Sequence, residues 1–370
     1  MGKPKIIAFY LPQFHPTPDN EKWWGKGFTE WTNVGKAKPL FKGHYQPKVP
    51  ADLGYYDLRL PQVREAQAEL AKEAGIYGFC YYHYWFGNGK RELEIPFNEV
   101  LKTGKPDFPF MLCWANESWH KKFWDKDGNG SSKEILIEQT YPGKEDIISH
   151  FYEVLPAFKD PRYIKINNKP AFMIYKPFEY PDIKEFIKKW QELAKSENIP
   201  GIYFIAQNQD ENSDTTYNQY INLGFDAVNT VGLYEARRRL LKKKGYKLKF
   251  ILKKYLKKFK YMPFVDPYSL ISKKLYLDKD KRENIFPTLI PNWDHTPRSS
   301  NNGWVLKGST PEKFAKQIKI VLDIIKNKKN KIIFLKSWNE WGEGNYMEPD
   351  LKFGKGYIKA LAEGLKDFDN

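Results

Sequence analysis

Eight short, nearly continuous apolar runs alternate along the chain with stretches of a different periodicity. The runs lie at residues 5–12, 77–86, 108–117, 170–177, 202–209, 225–230, 286–295 and 331–340. Most are apolar at successive positions rather than at alternate ones, which is typical of strands covered on both faces, as in parallel sheets. The pattern therefore predicts eight buried parallel strands.

Helical periodicity appears between several of these runs. Residues 57–75 and 181–200 have apolar positions at helical spacing, and the stretch from 310 begins with Thr310 as an N-cap and Pro311 at the first helical position. A last helix is predicted near 354–367. Strands alternating with helices predict a (β/α)₈ TIM barrel over residues 1–370. The alternative is an open doubly wound sheet, but no glycine-rich phosphate fingerprint follows the first run.

Two regions interrupt the alternation. Residues 13–50 form a long predicted loop after strand one, rich in Trp, Gly and Pro, and residues 231–285 form an insertion after strand six. The chain's formal net charge is +16, and segment 237–260 carries thirteen Lys or Arg and no acidic residue. From Leu248 to Phe259 apolar residues recur at helical spacing among lysines, which predicts a basic amphipathic helix.

This basic helix has three interpretations. It lies on an anionic membrane surface, or it packs on the barrel and exposes its lysines to solvent. Nucleic-acid binding is the weakest of the three, because no recognised module accompanies the charge. We therefore predict no nucleic-acid partner.

Cellular location is predicted from cysteine use and from the lack of apolar targeting segments. Cys80 and Cys113 both lie in apolar runs and give no disulfide framework, which fits a reducing compartment. The N-terminal residues lack a long apolar region with a cleavage site, and no run approaches 18 apolar residues. These features predict a cytoplasmic protein, peripheral at the inner face of the cell membrane if the basic segment binds lipid.

In a TIM barrel the active site is built at the C-terminal ends of the strands. Here those ends carry mainly polar and aromatic residues, where a Gly or Ser turn would also serve. As single residues, Asn, Tyr and Trp there are equally explained by hydrogen bonds to loop backbones. As a set they predict a substrate-binding rim formed by Tyr10, His15, Tyr82, His83, Trp85, Trp114, Asn116, Glu117, Tyr175, Gln207, Asn229, Asn292, Trp293, Asp294 and Asn339.

The last strand is followed by "SWNEWGEGNY", which places Glu340 and Glu343 three residues apart. Two carboxylates flanking a bond are what glycosidic cleavage requires, and on a helical turn their Cβ atoms would be about 5–6 Å apart. The alternative is an acidic helix N-terminus stabilised by the helix dipole. Trp338, Trp341 and Tyr346 surround the pair and favour catalysis, because rings stack on sugars and a dry wall raises a carboxyl pKa.

Other catalytic chemistries have weaker support. The six histidines form no H-x-x-x-H pair, and no Cys/His cluster exists. His83 and His295 are instead predicted to hydrogen-bond a substrate or a neighbouring side chain. A G-x-S-x-G nucleophile motif is also absent. We predict neither a metal nor a cofactor.

Several long motifs resemble one known family. They are "FYLPQFHP", "WWGKGFTEWTNV", "HYQPKVPADLGYYDLR", "YGFCYYHYWF", "FPFMLCWANESW" and "SWNEWGEGNYMEPD". In this order, over almost the whole chain, they are similar to the WbsX-type proteins of bacterial polysaccharide loci, which are related to glycoside hydrolase family 99. The family label is glycosyltransferase, whereas the family-99 relatives are retaining endo-α-mannosidases with a (β/α)₈ barrel and no metal in the chemistry.

The resemblance also implies residue roles. "NEWGEG" matches the N-E-W-H-E-G motif of the hydrolases, which implies that Glu340 deprotonates the sugar 2-hydroxyl and that Glu343 is the acid and then the base. The intermediate would be epoxide-like. The matching motifs add Trp24, Glu30, Trp31 and Trp341 to the predicted substrate-binding residues. The chain departs from the hydrolases at Gly342, where they have His, which leaves the subsites and hydrolysis itself open.

Three functions remain open from the sequence. The first is a retaining glycosidase or transglycosidase acting on a bacterial surface polysaccharide, O-antigen or capsule, or on its lipid-linked precursor. The second is a glycosyltransferase that extends a lipid-linked glycan; the nearest imitation of a metal-binding D-x-D motif, "DKDGN" at 125–129, fits a loop turn better. The third is a non-catalytic glycan-binding barrel. In each case the predicted partner is an oligosaccharide or polysaccharide.

Overall fold

The fold is a closed barrel of eight parallel strands. A computed structural model describes residues 2–121, 134–208, 214–242, 245–248, 250–252 and 262–369. We number the barrel strands β1 to β8 in chain order. They are β1 Lys5–Tyr10, β2 Gly78–Trp85, β3 Phe110–Trp114, β4 Lys169–Ile174, β5 Tyr203–Asn208, β6 Ala227–Thr230, β7 Ile285–Leu289 and β8 Ile332–Leu335.

The sheet closes at β1. Ile7 is paired in parallel with Phe334 of β8 on one side and with Gly78 of β2 on the other. The remaining neighbours follow chain order round the barrel. All eight predicted strands and the predicted (β/α)₈ barrel are therefore confirmed, and the open doubly wound alternative is wrong. The strands are covered on both faces, which is why their sequence is apolar at successive positions.

Helices precede or follow each strand. The described α-helices are α1 Pro18–Trp24, α2 Glu30–Lys36, α3 Pro61–Glu73, α4 Ile95–Thr103, α5 Lys144–Lys159, α6 Ile183–Ser196, α7 Asp214–Asn222, α8 Leu233–Leu241, α9 Tyr268–Ser272, α10 Thr296–Ser299, α11 Pro311–Ile325 and α12 Gly356–Asp369.

The structure also contains short 3₁₀ turns and short strands outside the eight barrel strands. The 3₁₀ turns are Pro177–Glu179, Asp278–Lys281, Ser300–Asn302 and Trp341–Glu343. The short strands are Arg91–Glu92, Trp119–His120, Ile135–Ile137, Lys165–Ile166, Phe264–Pro267, Trp304–Lys307, Asn339–Glu340 and Asn345–Tyr346.

Local sequence explains the helix boundaries. Helix α11 begins as predicted: Thr310 Oγ1 accepts a hydrogen bond from the backbone N–H of Lys313, and Pro311 occupies the first position, where its missing N–H costs nothing. Helix α6 buries Ile183, Phe186 and Trp190 against the barrel, at the spacing that puts them on one helix face. The helical patterns seen in the sequence are thus the barrel-facing sides of these helices.

The predicted long loop at 13–50 differs from the structure. It contains the two seven-residue helices α1 and α2, each capped by a threonine, Thr17 or Thr29, whose hydroxyl accepts a backbone N–H. These helices were not predicted because a helix of seven residues is too short to show a periodic pattern. The many Trp, Gly and Pro residues in the segment indicated a loop instead. The difference matters because both helices lie next to the site described below.

The insertion after β6 is described in part. It includes α8, α9 and the strand Phe264–Pro267, which pairs in parallel with Trp304–Lys307. The predicted amphipathic helix over 248–259 falls largely outside the described residues, and "DKDGN" at 125–129 lies wholly outside them. No helix in the part of the chain that the structure describes is long and apolar enough to cross a bilayer.

Cys80 in β2 and Cys113 in β3 are buried and free, as the apolar runs around them indicated. They lie in the large core between the barrel and its helices. The cytoplasmic location inferred in part from these cysteines stays a prediction.

Candidate active site

Glu340 and Glu343 lie in a short helical turn directly after β8. The chain runs from the strand Asn339–Glu340 into the 3₁₀ turn Trp341–Glu343 and returns in the strand Asn345–Tyr346. Gly344 ends the turn at φ +51°, a left-handed conformation that favours glycine. The predicted helical turn is confirmed, and it places both carboxylates at the C-terminal edge of the barrel.

One arginine joins the two carboxylates. Nη1 of Arg298, in α10, donates to Oε1 of Glu340 at 3.1 Å and to Oε1 of Glu343 at 2.8 Å. Because both oxygens accept from the same nitrogen, they are less than about 6 Å apart. The two carboxyl groups lie closer together in retaining glycosidases than in inverting ones, and this separation fits the retaining class. The spacing is therefore compatible with both groups acting on one glycosidic bond.

A lysine lies on the other side of the pair. Nζ of Lys336, the residue after β8, is 3.3 Å from Oε2 of Glu340 and 3.7 Å from Oε2 of Glu343. The same ammonium is 3.4 Å from the hydroxyl of Tyr82. His295 also approaches, with Nε2 3.5 Å from Oε1 of Glu343. The histidine predicted to bond a neighbouring side chain therefore does so at the centre of the site.

The surroundings separate the two glutamates electrostatically. Burial and then the charge on Glu343 raise the pKa of Glu340 above its usual value, and Lys336 and Arg298 only partly offset this. Burial alone would also raise the pKa of Glu343, but Lys336, Arg298 and His295 hold it well below its usual value. The two shifts have opposite signs although the same cations contact both groups, because a coupled pair favours one ionised and one protonated member. We assign the ionised member to Glu343.

Glu340 and Glu343 line a cavity of about 370 Å³. Several predicted rim residues line it, namely Trp24, Tyr82, Glu117 and Tyr175, together with Glu340 and Glu343. The rings of Tyr82 and Tyr175 meet edge to face, with centroids 6.1 Å apart. Aromatic walls around two carboxylates suit a sugar, whose apolar face packs on rings while its hydroxyls reach polar groups.

Three aromatic or histidine side chains predicted at the rim point the other way. In β2, Tyr82 and Tyr84 line the cavity, so His83 and Trp85 face the helices, because side chains alternate along a strand. His83 Nε2 lies 2.9 Å from Nε2 of His150 in α5, and Trp85 stacks on the same imidazole. The prediction that His83 and Trp85 line the substrate site is corrected accordingly.

Trp114 is corrected for the same reason. Its indole N–H donates to the carbonyl of Trp85, and its ring contacts His150 and Phe186 between the barrel and the helices. All three misplaced residues thus belong to one aromatic cluster around His150.

Other predicted site residues hold the rim's backbone instead of lining the cavity. Their hydrogen bonds are those of Asn339 with both backbone groups of Leu11, Asn292 with both backbone groups of Tyr346, Asn116 with both backbone groups of Lys176, and Asp294 with His44, Gln46 and Thr296. The structure therefore favours the interpretation of these residues as hydrogen-bond partners of loop backbones and neighbouring side chains over the interpretation that they bind substrate.

The remaining predicted residues are buried near the rim or inside the barrel. Tyr10 donates to Gln67, Gln207 donates to Asn229, Trp31 donates to the carbonyl of Tyr56, and Trp341 stacks on Tyr346 with centroids 3.8 Å apart. His15 and Trp293 are buried outside the cavity lining, and Glu30 bonds Arg298. None of these residues lines the cavity, so their predicted substrate contact stays a prediction.

The sequence did not single out Arg298, Lys336 or Trp119, which also line the cavity. Lys336 directly follows β8, so the rule that selects strand ends would have found it once the strand's end was known. Arg298 and Trp119 follow strand ends by several residues; Trp119 is the last residue of the motif "FPFMLCWANESW", whereas no local pattern marks Arg298. Among the described residues no group of three or more His, Cys, Asp or Glu is arranged to hold a metal ion. That the site uses no metal or cofactor stays a prediction.

The fold and the site together define a (β/α)₈ barrel with a carboxylate pair after its last strand. Residues 6–361 match the family described as "Glycosyltransferase WbsX", and the chain belongs to that family. It is 33% identical to the uncharacterized protein WxcX of Xanthomonas campestris pv. campestris, over 97% of this chain and 49% of that protein. The chain spans about half the length of the curated relatives it matches.

Solved structures resemble the whole chain at low sequence identity. A glycoside hydrolase-like protein superposes with a TM-score of 0.63 at 15% identity, covering 99% of this chain and 94% of the other. The GH99 endo-alpha-mannosidase from Bacteroides thetaiotaomicron gives a TM-score of 0.58 at 13% identity, covering 98% and 97%. At this identity the likeness establishes the fold, in agreement with the predicted relation to family 99.

Proposed function

We propose that the chain is a retaining glycoside hydrolase or transglycosidase that acts on a bacterial surface polysaccharide, O-antigen or capsule, or on its lipid-linked precursor. The observation that carries the proposal is the buried pair Glu340 and Glu343, which one guanidinium joins at the mouth of the barrel in an aromatic cavity. The Bacteroides protein of similar fold is an endo-alpha-mannosidase, and the proposal assigns this chain to the same class of reaction.

The proposed chemistry has two steps. Glu340 takes the proton of the sugar 2-hydroxyl, and that oxygen attacks the anomeric carbon while Glu343 gives its proton to the departing glycosidic oxygen. In the second step Glu343 takes a proton from water or an acceptor hydroxyl, whose oxygen opens the epoxide at the anomeric carbon. Glu340 then returns its proton to the 2-oxygen, so the configuration is retained.

This cycle begins with the proton on Glu343, whereas burial and the neighbouring charges favour it on Glu340. The two forms differ only in which member of the pair carries one proton. A substrate that hydrogen-bonds Lys336 would weaken its hold on Glu343 and move the proton there. Oε2 of Glu343 accepts no hydrogen bond from the described residues, so it is available to receive this proton.

The second candidate is a glycosyltransferase, which the family description favours. It would extend a lipid-linked glycan with a sugar from an activated donor, and it would require a donor-phosphate site. The third candidate, a glycan-binding barrel, would keep its aromatic walls but tolerate the loss of either glutamate.

The deciding experiment incubates the protein with polysaccharide or lipid-linked repeat units from its own source, with and without nucleotide sugars, and follows the products by mass spectrometry. Shortened or rearranged glycan without nucleotide sugar, lost in Glu340→Gln and Glu343→Gln, supports the proposal. Extension of the glycan only when a nucleotide sugar is present contradicts it and favours the transferase. Binding without turnover, unchanged in both variants, favours the glycan-binding barrel.

We also propose that the basic segment 237–260 binds an anionic membrane surface at the inner face of the cell membrane, near the cavity. Among its described residues, Leu248, Ile251 and Leu252 are about half or more exposed, and Tyr234, just before the segment, lines the cavity. Exposed apolar side chains among lysines suit the interface of an anionic bilayer.

Flotation with vesicles of phosphatidylglycerol and phosphatidylcholine tests this membrane proposal. Replacing Leu248, Ile251 and Leu252 together by Ser should reduce binding at least tenfold. The exposed Leu351, replaced by Ser, is the matched control and should leave binding unchanged. Equal binding by both variants contradicts the proposal without touching the catalytic one.

A further inference from the structure

A single guanidinium connects three carboxylates that come from distant parts of the chain. Besides the two bonds from Nη1 to Glu340 and Glu343, Nε of Arg298 donates to Oε1 of Glu30 at 3.0 Å. Glu30 is the first residue of α2, and its side chain is fully buried. Arg298 therefore links the loop after β1 to the loops after β7 and β8.

Glu30 does not line the cavity, although its motif suggested substrate contact. Its Oε1 accepts from Arg298 and lies 3.4 Å from Nδ2 of Asn33, one helical turn further along α2. A carboxylate fixed at the edge of a guanidinium restrains the plane of that group, because the bonds of both groups are directional. Glu30 thus fixes where Nη1 of Arg298 points, which is towards Glu340 and Glu343.

Gly342 provides the room for this contact. A Cβ atom built on Gly342 would lie 1.7 Å from Oε1 of Glu30 and 2.9 Å from Nε of Arg298. Both distances are too short for a side chain of any size to coexist with the present arrangement. The departure from the N-E-W-H-E-G pattern therefore has a structural counterpart: the buried Glu30–Arg298 pair fills the space beside position 342.

We propose that Glu30, Arg298 and Gly342 form a clamp that positions Glu340 and Glu343 at the cavity. The clamp rests on the proposed function for its catalytic meaning. Arg298 and Glu30 are positioning residues, since they act through the two glutamates.

The charges around the pair make the clamp testable without substrate. Arg298 and Lys336 face three carboxylates, those of Glu30, Glu340 and Glu343. His295 also contacts Glu343, and the hydroxyl of Tyr82 lies beside Lys336. Losing the guanidinium therefore removes one of the positive charges that these three acids share. Opposite charges within this distance favour the ionised form of a carboxyl, and removing one raises its pKa. Glu343 has the shorter bond to Arg298, so its titration should respond most.

The experiment follows the side-chain carboxyl carbons of ¹³C-labelled glutamate by NMR as the pH is lowered, with Glu340→Gln and Glu343→Gln used to assign the two signals. In Arg298→Gln the midpoint of Glu343 should rise by at least one pH unit, a tenfold gain in proton affinity. In Arg298→Lys it should rise less, because the charge remains and only the shared geometry is lost. Unchanged midpoints in Arg298→Gln overturn the clamp.

Gly342→Ala is the second variant, since its Cβ must displace Glu30 or Arg298 while every charge is kept. It should shift the midpoint in the same direction as Arg298→Gln, and an unshifted midpoint also overturns the clamp. Arg162→Gln is the matched control, because Arg162 is another largely buried arginine that forms a bidentate pair with Asp160 away from the cavity. It should leave both midpoints where they are.

These outcomes separate the clamp from the proposed function. The titration needs no glycan, so a shift in both variants supports the clamp even if no glycosidase activity is found. If activity is found, Arg298→Lys should lower kcat more than it raises KM, because the clamp orients the reacting groups and does not bind the sugar. A loss confined to KM overturns that part of the inference.

Discussion

The segment 337–350 buries carboxylates on two sides, and the two sides stabilise them in different ways. On the cavity side, Glu340 and Glu343 are surrounded by the cations Arg298 and Lys336. On the opposite side, Glu348 accepts from three neutral donors: the indole of Trp341 at 2.6 Å, the amide of Gln67 at 2.6 Å and the hydroxyl of Tyr56 at 2.9 Å.

The two environments shift the carboxyl pKa values differently. Burial raises the pKa of Glu348 to about 7, and its hydrogen bonds offset this only in part because none of the donors is charged. Next to cations, by contrast, the pKa of Glu343 is lowered although burial by itself would raise it. The cavity side thus keeps Glu343 ionised next to cations, whereas neutral hydrogen bonds hold Glu348 in place on the opposite side.

The link between the two sides is Trp341. Its indole N–H bonds Glu348, its ring stacks on Tyr346, and its backbone lies between the two glutamates of the cavity. The neutral network therefore fixes the turn that carries the charged pair. Substitutions on each side should separate their roles, first in activity, then in stability and finally in ligand affinity.

The largest effect is expected on activity. Glu340→Gln and Glu343→Gln should each reduce turnover of the native glycan by roughly 100- to 10 000-fold, the range for loss of a positioned acid or base. Glu348→Gln is the matched control, because Glu348 is a similarly buried glutamate in the same segment, and it should reduce turnover less than tenfold. Initial rates measured by product release decide this. Equal losses in all three variants would remove the distinction between the two sides.

The next effect is on stability. Glu348→Ala leaves three buried donors without an acceptor, at about 1–3 kcal/mol for each, so the free energy of unfolding should fall by roughly 3–9 kcal/mol. Glu343→Ala should cost less, because Arg298 and Lys336 still face Glu30 and Glu340 in equal number. Urea unfolding with a common m-value measures both variants. A larger loss in Glu343→Ala would contradict the comparison.

The pH dependence of stability should separate the two sides next. Glu348 titrates near 4.5 when unfolded and has a pKa of about 7 when folded, so between these values the native state binds more protons than the unfolded state. The free energy of unfolding contributed by Glu348 therefore falls as the pH rises from 4.5 to 7, by about 2–3 kcal/mol. Glu348→Gln should flatten this slope, whereas an unchanged slope would show that Glu348 does not titrate there.

How far the sequence predicts this arrangement depends on the kind of contact. The barrel strands were predictable because each is buried on both faces and is apolar throughout. The same property concealed which face each side chain occupies, so His83 and Trp85 could not be told from Tyr82 and Tyr84 by pattern. A strand with one solvated face would have shown the alternation directly.

The meeting of the two carboxylates at the end of β8 was predictable because both glutamates lie in one short motif. Its electrostatic partners were not, because Glu30 and Arg298 are 268 residues apart and meet only in the folded barrel. Gly342 gave the single local sign of that contact, as the position where the motif departs from the hydrolases. A missing side chain indicates a close neighbour, but the sequence does not say which neighbour.

The smallest effect compares two buried tyrosines, one from each side. Tyr82 lines the cavity, with its hydroxyl 3.4 Å from Lys336, and Tyr10 donates to Gln67 in the network around Glu348. Tyr82→Phe should weaken glycan binding about tenfold, which is about 1.4 kcal/mol, and leave stability nearly unchanged. Tyr10→Phe should lower the free energy of unfolding by about 1 kcal/mol and leave binding unchanged. Calorimetric titration and urea unfolding of both variants measure the four quantities. If both tyrosines affected binding and stability alike, the two sides would form one network, and the cavity would depend on Glu348 as directly as on Arg298.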